Sequence, residues 1–140
     1  MFETLMPQCA RDDTDVGSQF AVYACENFDA VIPFALPIRW YPDDPGGKRA
    51  FSCDGGKIFI EYGSIDSNGI GYVYKVDAKF FEKADEWQWI SYREVRPVDV
   101  IKVTVADYWH VISFSKEALE INKTLYPSDS LYLSMKPYQK

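Results

Sequence analysis

The sequence predicts an α+β protein with a mainly antiparallel sheet and a few short helices. Two observations lead there. Short segments with period-two apolar alternation outnumber segments with helical spacing, and Gly, Pro, Asn and Asp cluster between them as turn signals. Aromatic residues are abundant at 16%, with Tyr and Phe supplying most of the excess. They add to the strand propensity of the segments that carry them.

Taken in order, the apolar start of the chain passes into a polar run from Arg11 to Ser18 without periodicity, which reads as a loop. Phe20 to Cys25 reads as a strand, with Phe20, Val22 and Ala24 on one face and Tyr23 and Cys25 on the other. Asn27 or Asp29 then caps a short helix on which Phe28, Val31, Ile32, Ala35 and Leu36 recur at helical spacing. Pro33 belongs near its first turn or kinks it, and Pro37 ends it. Arg39 to Gly56, rich in Pro and Gly, reads as a long surface loop of the kind that often carries function. Its Pro-Gly-Gly-Lys run lacks the spacing of a phosphate-binding loop.

Lys57–Tyr62 and Gly71–Val76 are strands, and Asn68-Gly69 between them is the strongest turn signal, so an antiparallel hairpin is expected. Asp77 caps a helical turn reaching Lys83. The stretch from Trp87 to Pro97 reads as a strand stopped by its proline. Trp87, Trp89, Ser91, Arg93 and Val95 share one of its faces, and Gln88, Ile90, Tyr92 and Glu94 the other. Neither face is wholly apolar, so both are expected to be partly covered. Ile101, Val103 and Val105 alternate with Lys102 and Thr104 in a half-buried strand. Ala106–Ile112 is ambiguous between helix and extended chain, and Lys116–Asn122 has a short helical pattern. Residues 1–115 are expected to form one domain, and residues 116–140 a C-terminal tail packing on it or extending from it.

At 140 residues, the chain is long enough to bury a real core. Its net charge of −6 and scattered basic residues disfavour a nucleic-acid partner, whose phosphates call for a basic face. No apolar run approaches the roughly 20 residues of a membrane span, and the N-terminus lacks a signal-peptide profile. No membrane partner and a cytoplasmic location are therefore expected. Cys9, Cys25 and Cys53 have long, unrelated spacings, and His110 is the one histidine, so no metal site is expected and the thiols read as reduced. His110 has no Gly-x-Ser-x-Gly elbow to serve. Cys25, ending a strand at a helix start, is a small buried residue or a thiol of lowered pKa. Trp40-Tyr41 and Trp87/Trp89 are core aromatics or stacking platforms.

Several short motifs carry a resemblance spanning roughly residues 2–105. They are Phe2, Leu5 and Pro7 in Phe-x-x-Leu-x-Pro; Val22-Tyr23-Ala24 with Ala30; Gly71-Tyr72-Val73-Tyr74; and Ser91, Glu94, Val95 and Pro97. Together they resemble small bacterial and phage proteins related to the ADP-ribosyltransferase fold. The resemblance implies NAD as cofactor, Tyr23 as the residue beside the nicotinamide, and Glu94 as the catalytic carboxylate. Such a carboxylate holds a ribose hydroxyl and faces developing positive charge as nicotinamide leaves. Ser91 and Tyr92 beside it are the further ligand-binding candidates. The Leu-Tyr-His-Gly-Ser opening of those proteins, which supplies the first ribose contact, is not found in the sequence. The expectation is therefore either a member impaired in catalysis or a chain whose upstream part is missing. From the residues alone, a non-enzymatic interaction protein, its aromatics forming the core and a patch for a small-molecule or protein partner, stands beside this reading.

Overall fold

The computed structural model describes residues 4–5, 8–9, 20–47 and 49–138. In chain order they form β1 (Gln8–Cys9), β2 (Phe20–Ala24), α1 (Phe28–Ala35), β3 (Ala50–Asp54), β4 (Lys57–Tyr62) and β5 (Ile70–Lys75). A 3-10 turn (Ala78–Phe80), β6 (Glu82–Lys83), β7 (Trp89–Ser91) and β8 (Asp99–Thr104) follow. Then come α2 (Val105–Tyr108), a second 3-10 turn (Trp109–Val111), β9 (Ile112–Phe114), α3 (Lys116–Leu125) and α4 (Ser130–Leu133). The class is α+β; the β1–β2, β2–β7, β3–β4 and β6–β7 pairings are antiparallel and the β4–β9 pairing is parallel. The chain divides into two compact units: Met1–Phe28 with Tyr72–Ile101, and Asp29–Gly71 with Lys102–Lys140. No helix among the described residues is long and apolar enough to cross a membrane.

The first unit is built on a four-stranded sheet in the order β1-β2-β7-β6. Val22, Phe81 and Val95 form its buried cluster, with Leu5, Ala24, Val76 and Trp89 packed against them. Leu5 and Val95 exchange backbone hydrogen bonds of 2.7 and 2.8 Å, which holds the start of the chain against the segment after β7. The strand expected from Trp87 to Pro97 is confined to Trp89–Ser91. Before it, the Asp85 carboxylate captures the N–H groups of Trp87 and Gln88, and such local bonds compete with a ladder. The Asp77 cap is present, its side chain accepting from the Lys79 N–H.

In the second unit, β3 runs antiparallel to β4, and β4 parallel to β9. The expected hairpin of Lys57–Tyr62 with the strand after it does not form, since β4 pairs with β3 and β9 while β5 pairs with β8. The expected loop from Arg39 to Gly56 instead contains β3. Gly55 and Gly56, at φ +57° and +80°, make the two-residue turn that folds β3 onto β4, a geometry glycine adopts at little cost. Gly71 is required for another reason. A Cβ there would meet the Ala35 carbonyl oxygen at 1.8 Å, so only glycine lets β5 begin so close to the end of α1. Within α1, Pro33 cannot donate to the Asp29 carbonyl, and the Cys53 thiol lies 3.9 Å from that oxygen.

The segment expected as a tail supplies core. Ser115 caps α3 by accepting from the Ala118 N–H and donates its hydroxyl proton to the Glu61 carbonyl, joining helix to strand. Ala118, Leu119, Asn122 and Tyr132 are buried at 2% exposure or less. Asn122 accepts from the Ile65 N–H at 3.2 Å and donates to the carbonyls of Gly63 at 2.9 Å and Ala118 at 2.7 Å. The Tyr132 hydroxyl bonds the Ile65 carbonyl and lies 3.2 Å from the Asn122 amide oxygen. Around it, Tyr126 stacks at 5.5 Å, and Trp109 and Phe114 approach edge-on or tilted at 4.9 and 5.6 Å. Burial pushes the Tyr132 phenol well above the ordinary tyrosine range, with Tyr126 and Asp129 adding to it.

Two expectations follow. Asn122→Ala leaves buried backbone groups of Gly63 and Ile65 without partners and should cost about 3 kcal/mol in urea unfolding, against about 1 kcal/mol for Tyr132→Phe. A phenol with a raised folded pKa contributes stability that is complete below the unfolded value and is lost as pH climbs above it. Stability should therefore fall above about pH 10, by up to about 1.4 kcal/mol per pH unit from this residue, and less steeply in Tyr132→Phe.

Candidate functional site

The site that the described residues offer lies in the first unit, at the open end of the β6–β7 hairpin. Register pairs Glu82 with Ile90 and Lys83 with Trp89, and the hairpin closes at the opposite end through Ala84–Gln88. The open end therefore brings the 3-10 turn before β6 beside the residues that follow β7. Between them is a groove of about 400 Å3, lined by Lys79, Phe80, Phe81, Glu82, Ile90, Ser91, Tyr92 and Arg93. Phe81, Ile90 and Ser91 are buried, while Phe80 and Tyr92 are 40% and 56% exposed.

Positive charge gathers on one ring. The Lys79 ammonium lies 5.0 Å from the Phe80 centroid and the Arg93 guanidinium carbon 5.9 Å from it, both within the range of cation–π attraction. Lys79 also pairs with Asp77 at 3.8 Å, an exposed pair of small energetic consequence. Glu82 brings one carboxylate to the lining. The groove thus combines two cations, two exposed aromatic rings and an acceptor over an apolar floor. Such a donor set suits a planar ligand bearing anionic groups.

The four residues singled out in the sequence all fall in this unit, in different positions. Tyr92 stands in the groove wall. Ser91 lines it from below, but its residue is only 3% exposed and its hydroxyl is directed to the Arg93 carbonyl at 3.4 Å. Its geometry suits holding the backbone of the groove more than touching a ligand. Tyr23 is half-buried opposite Ile90 on the adjacent strand. Cross-strand partners share a face, so Tyr23 stands on the same side of the sheet as Ile90, one strand over from the groove. Glu94 is exposed, next to the buried Val95, and is not among the lining residues. Phe2 and Pro7 lie outside the described residues.

Sequence reasoning missed Lys79, Phe80 and Arg93. The signal available was the basic residue on either side of the hairpin, but nothing local shows that both approach one phenyl ring. Of the other candidates, His110 and Cys53 are exposed, and the Cys25 thiol donates to the Asn27 carbonyl at 3.3 Å. Tyr41 is buried with its hydroxyl accepting from the Gly63 N–H at 3.1 Å, while Trp89 belongs to the first unit's cluster. No protein-family model matches the chain, and no curated protein or solved structure does so either.

The hairpin tip has its own electrostatics. The backbone N–H of Trp87, then that of Gln88, hold the Asp85 carboxyl below the usual carboxylate range, and the tip presents Trp87 at 71% exposure. A depressed folded pKa gives a contribution present above the unfolded value and lost as pH falls through the folded one. The tip should therefore loosen below about pH 4, seen as faster amide exchange at Trp87 and Gln88. In Asp85→Asn this acid dependence should vanish; an unchanged profile would mean that another group controls the turn.

Proposed function

We propose that the first unit binds a nucleotide of the NAD type, as an ADP-ribosyltransferase-like domain impaired in catalysis. The observation that carries the reading is the groove in which Lys79 and Arg93 flank Phe80 beside Tyr92. Phosphate groups complement the two cations, the Arg93 guanidinium in particular offering paired donors. The Tyr92 ring offers a flat base a stacking surface, and Glu82 an acceptor for sugar hydroxyls. Its volume lies toward the lower end of the roughly 300–1,000 Å3 typical of ligand sites. Tyr23 stands opposite Ile90 on the neighbouring strand, outside the lining. Glu94 stands outside the lining, and that placement favours binding over turnover.

A second reading, a protein-interaction role, draws on the other unit. There Phe34, 75% exposed, meets Phe51 edge-on at 5.4 Å, and the Arg49 guanidinium carbon lies 5.5 Å from Trp40 and 5.7 Å from Phe51. Phe51 belongs to β3, at the end of its sheet. Aromatics with arginine are the composition of interface anchors.

Thermal unfolding with and without millimolar NAD separates the two. NAD at about 100 times its dissociation constant should add about 2.7 kcal/mol of stability to the wild type and to Glu94→Ala alike. Nicotinamide release should stay at the uncatalysed rate in both. An absence of any shift at millimolar NAD removes the nucleotide reading, whereas nicotinamide release that depends on Glu94 removes the impairment.

A further inference from the structure

We infer that the groove takes the adenosine-diphosphate half of its ligand and leaves the nicotinamide half outside; this rests on the nucleotide reading above. Charge decides the choice. The oxidised nicotinamide ring is cationic, and inside this groove it would lie beside the two cations that already share Phe80, the Lys79 ammonium at 5.0 Å and the Arg93 guanidinium at 5.9 Å. Like charges at such distances repel, by an amount that the solvent exposure of both side chains keeps modest. A diphosphate reverses the sign of both interactions and gains charge-assisted hydrogen bonds from both side chains; Glu82, the one carboxylate in the lining, opposes this and is outnumbered there by the two cations.

The remaining groups point the same way. Adenine is neutral and electron-rich, so it stacks on Tyr92 and under a guanidinium without a charge penalty. Glu82 can accept from the adenine amine or a ribose hydroxyl. Lys79 shares its charge with Asp77, whereas the Arg93 guanidinium offers paired donors in a planar fork. Arg93 is therefore the principal phosphate contact and Lys79 the secondary one. A groove of about 400 Å3 holds one half of a dinucleotide more readily than both. The ligand class is thus any molecule with an adenosine-diphosphate head, and the redox state of an attached nicotinamide makes no difference to its affinity.

Calorimetric titration of the full chain at fixed ionic strength tests this, using ADP, NAD, NADH, nicotinamide mononucleotide and a short oligoadenylate. ADP, NAD and NADH are expected to bind within about threefold of one another, and nicotinamide mononucleotide at least about tenfold more weakly. Arg93→Gln should weaken ADP binding about tenfold and Lys79→Gln less, while Lys57→Gln, which removes an equal charge outside the groove, should change it little. Both groove positions are exposed, and thermal unfolding of each variant checks that it is folded. NAD binding without ADP binding, or nicotinamide mononucleotide binding as tightly as ADP, overturns the inference and leaves the nucleotide reading standing. Oligoadenylate binding more tightly than ADP also overturns it, moving the site to nucleic acid. Full ADP affinity in Arg93→Gln refutes the placement in this groove, and failure of every nucleotide removes the underlying reading as well.

Discussion

The side-chain amide of Asn122 is the constraint on which the second unit depends. Fully buried on α3, it must satisfy its own polar atoms or cost more than it contributes, and it does so by taking the place of a backbone ladder for the Gly63–Ile65 segment. That segment leaves β4 without turning into a partner strand; Ser64 bridges to Arg39 and the Gly63 N–H bonds the Tyr41 hydroxyl, but the Gly63 carbonyl and the Ile65 N–H and carbonyl would otherwise be orphaned in the core. Asn122 and Tyr132 supply the missing partners from residues roughly sixty positions away in the chain. The aromatic cluster of Tyr126, Tyr132, Trp109 and Phe114 then surrounds the network, and low polarity strengthens each bond inside it. This is why residues after Lys116 belong to the body of the unit.

In the first unit the corresponding constraint is register. Tyr23 opposite Ile90, and Ile90 opposite Glu82, set which side chains share a face and put Val22, Ser91 and Phe81 on the cluster side. Because side chains alternate with period two, a slip of one residue would exchange the two sets. The Asp85 turn at one end of the hairpin and the Leu5–Val95 bridge hold that register. The groove is the consequence: where β6 and β7 part, Phe80 and Tyr92 line its wall, with the two cations at Phe80.

Much of the local structure was legible in the chain. The strands at Phe20, Lys57, Gly71 and around Ile101–Val103, the helix at Phe28, the turn at Asn68 and the Asp77 cap all follow from spacing or from one side chain bonding its own neighbours. Misreadings came where local signals competed. Gly55-Gly56 has the composition of a loop, but its conformational freedom serves a hairpin; Trp87 has the propensity of a strand, but the Asp85 carboxylate takes its N–H. The candidate site was legible only in part. Tyr92 and Ser91 reached the groove through their position at the end of a strand, but Lys79, Phe80 and Arg93 looked like scattered surface residues.

Legible from the chain alone were the α+β class, the placement of most elements and the net charge of −6, because period, caps, turns and charge count are set by neighbours along the chain. Only the tertiary structure decided that β4 lies between β3 and β9, that Asn122 serves the Gly63–Ile65 segment, and that two cations meet at Phe80. These depend on strand pairing and side-chain burial between residues far apart in the chain. Their free energy comes from desolvation and register, which no local pattern encodes.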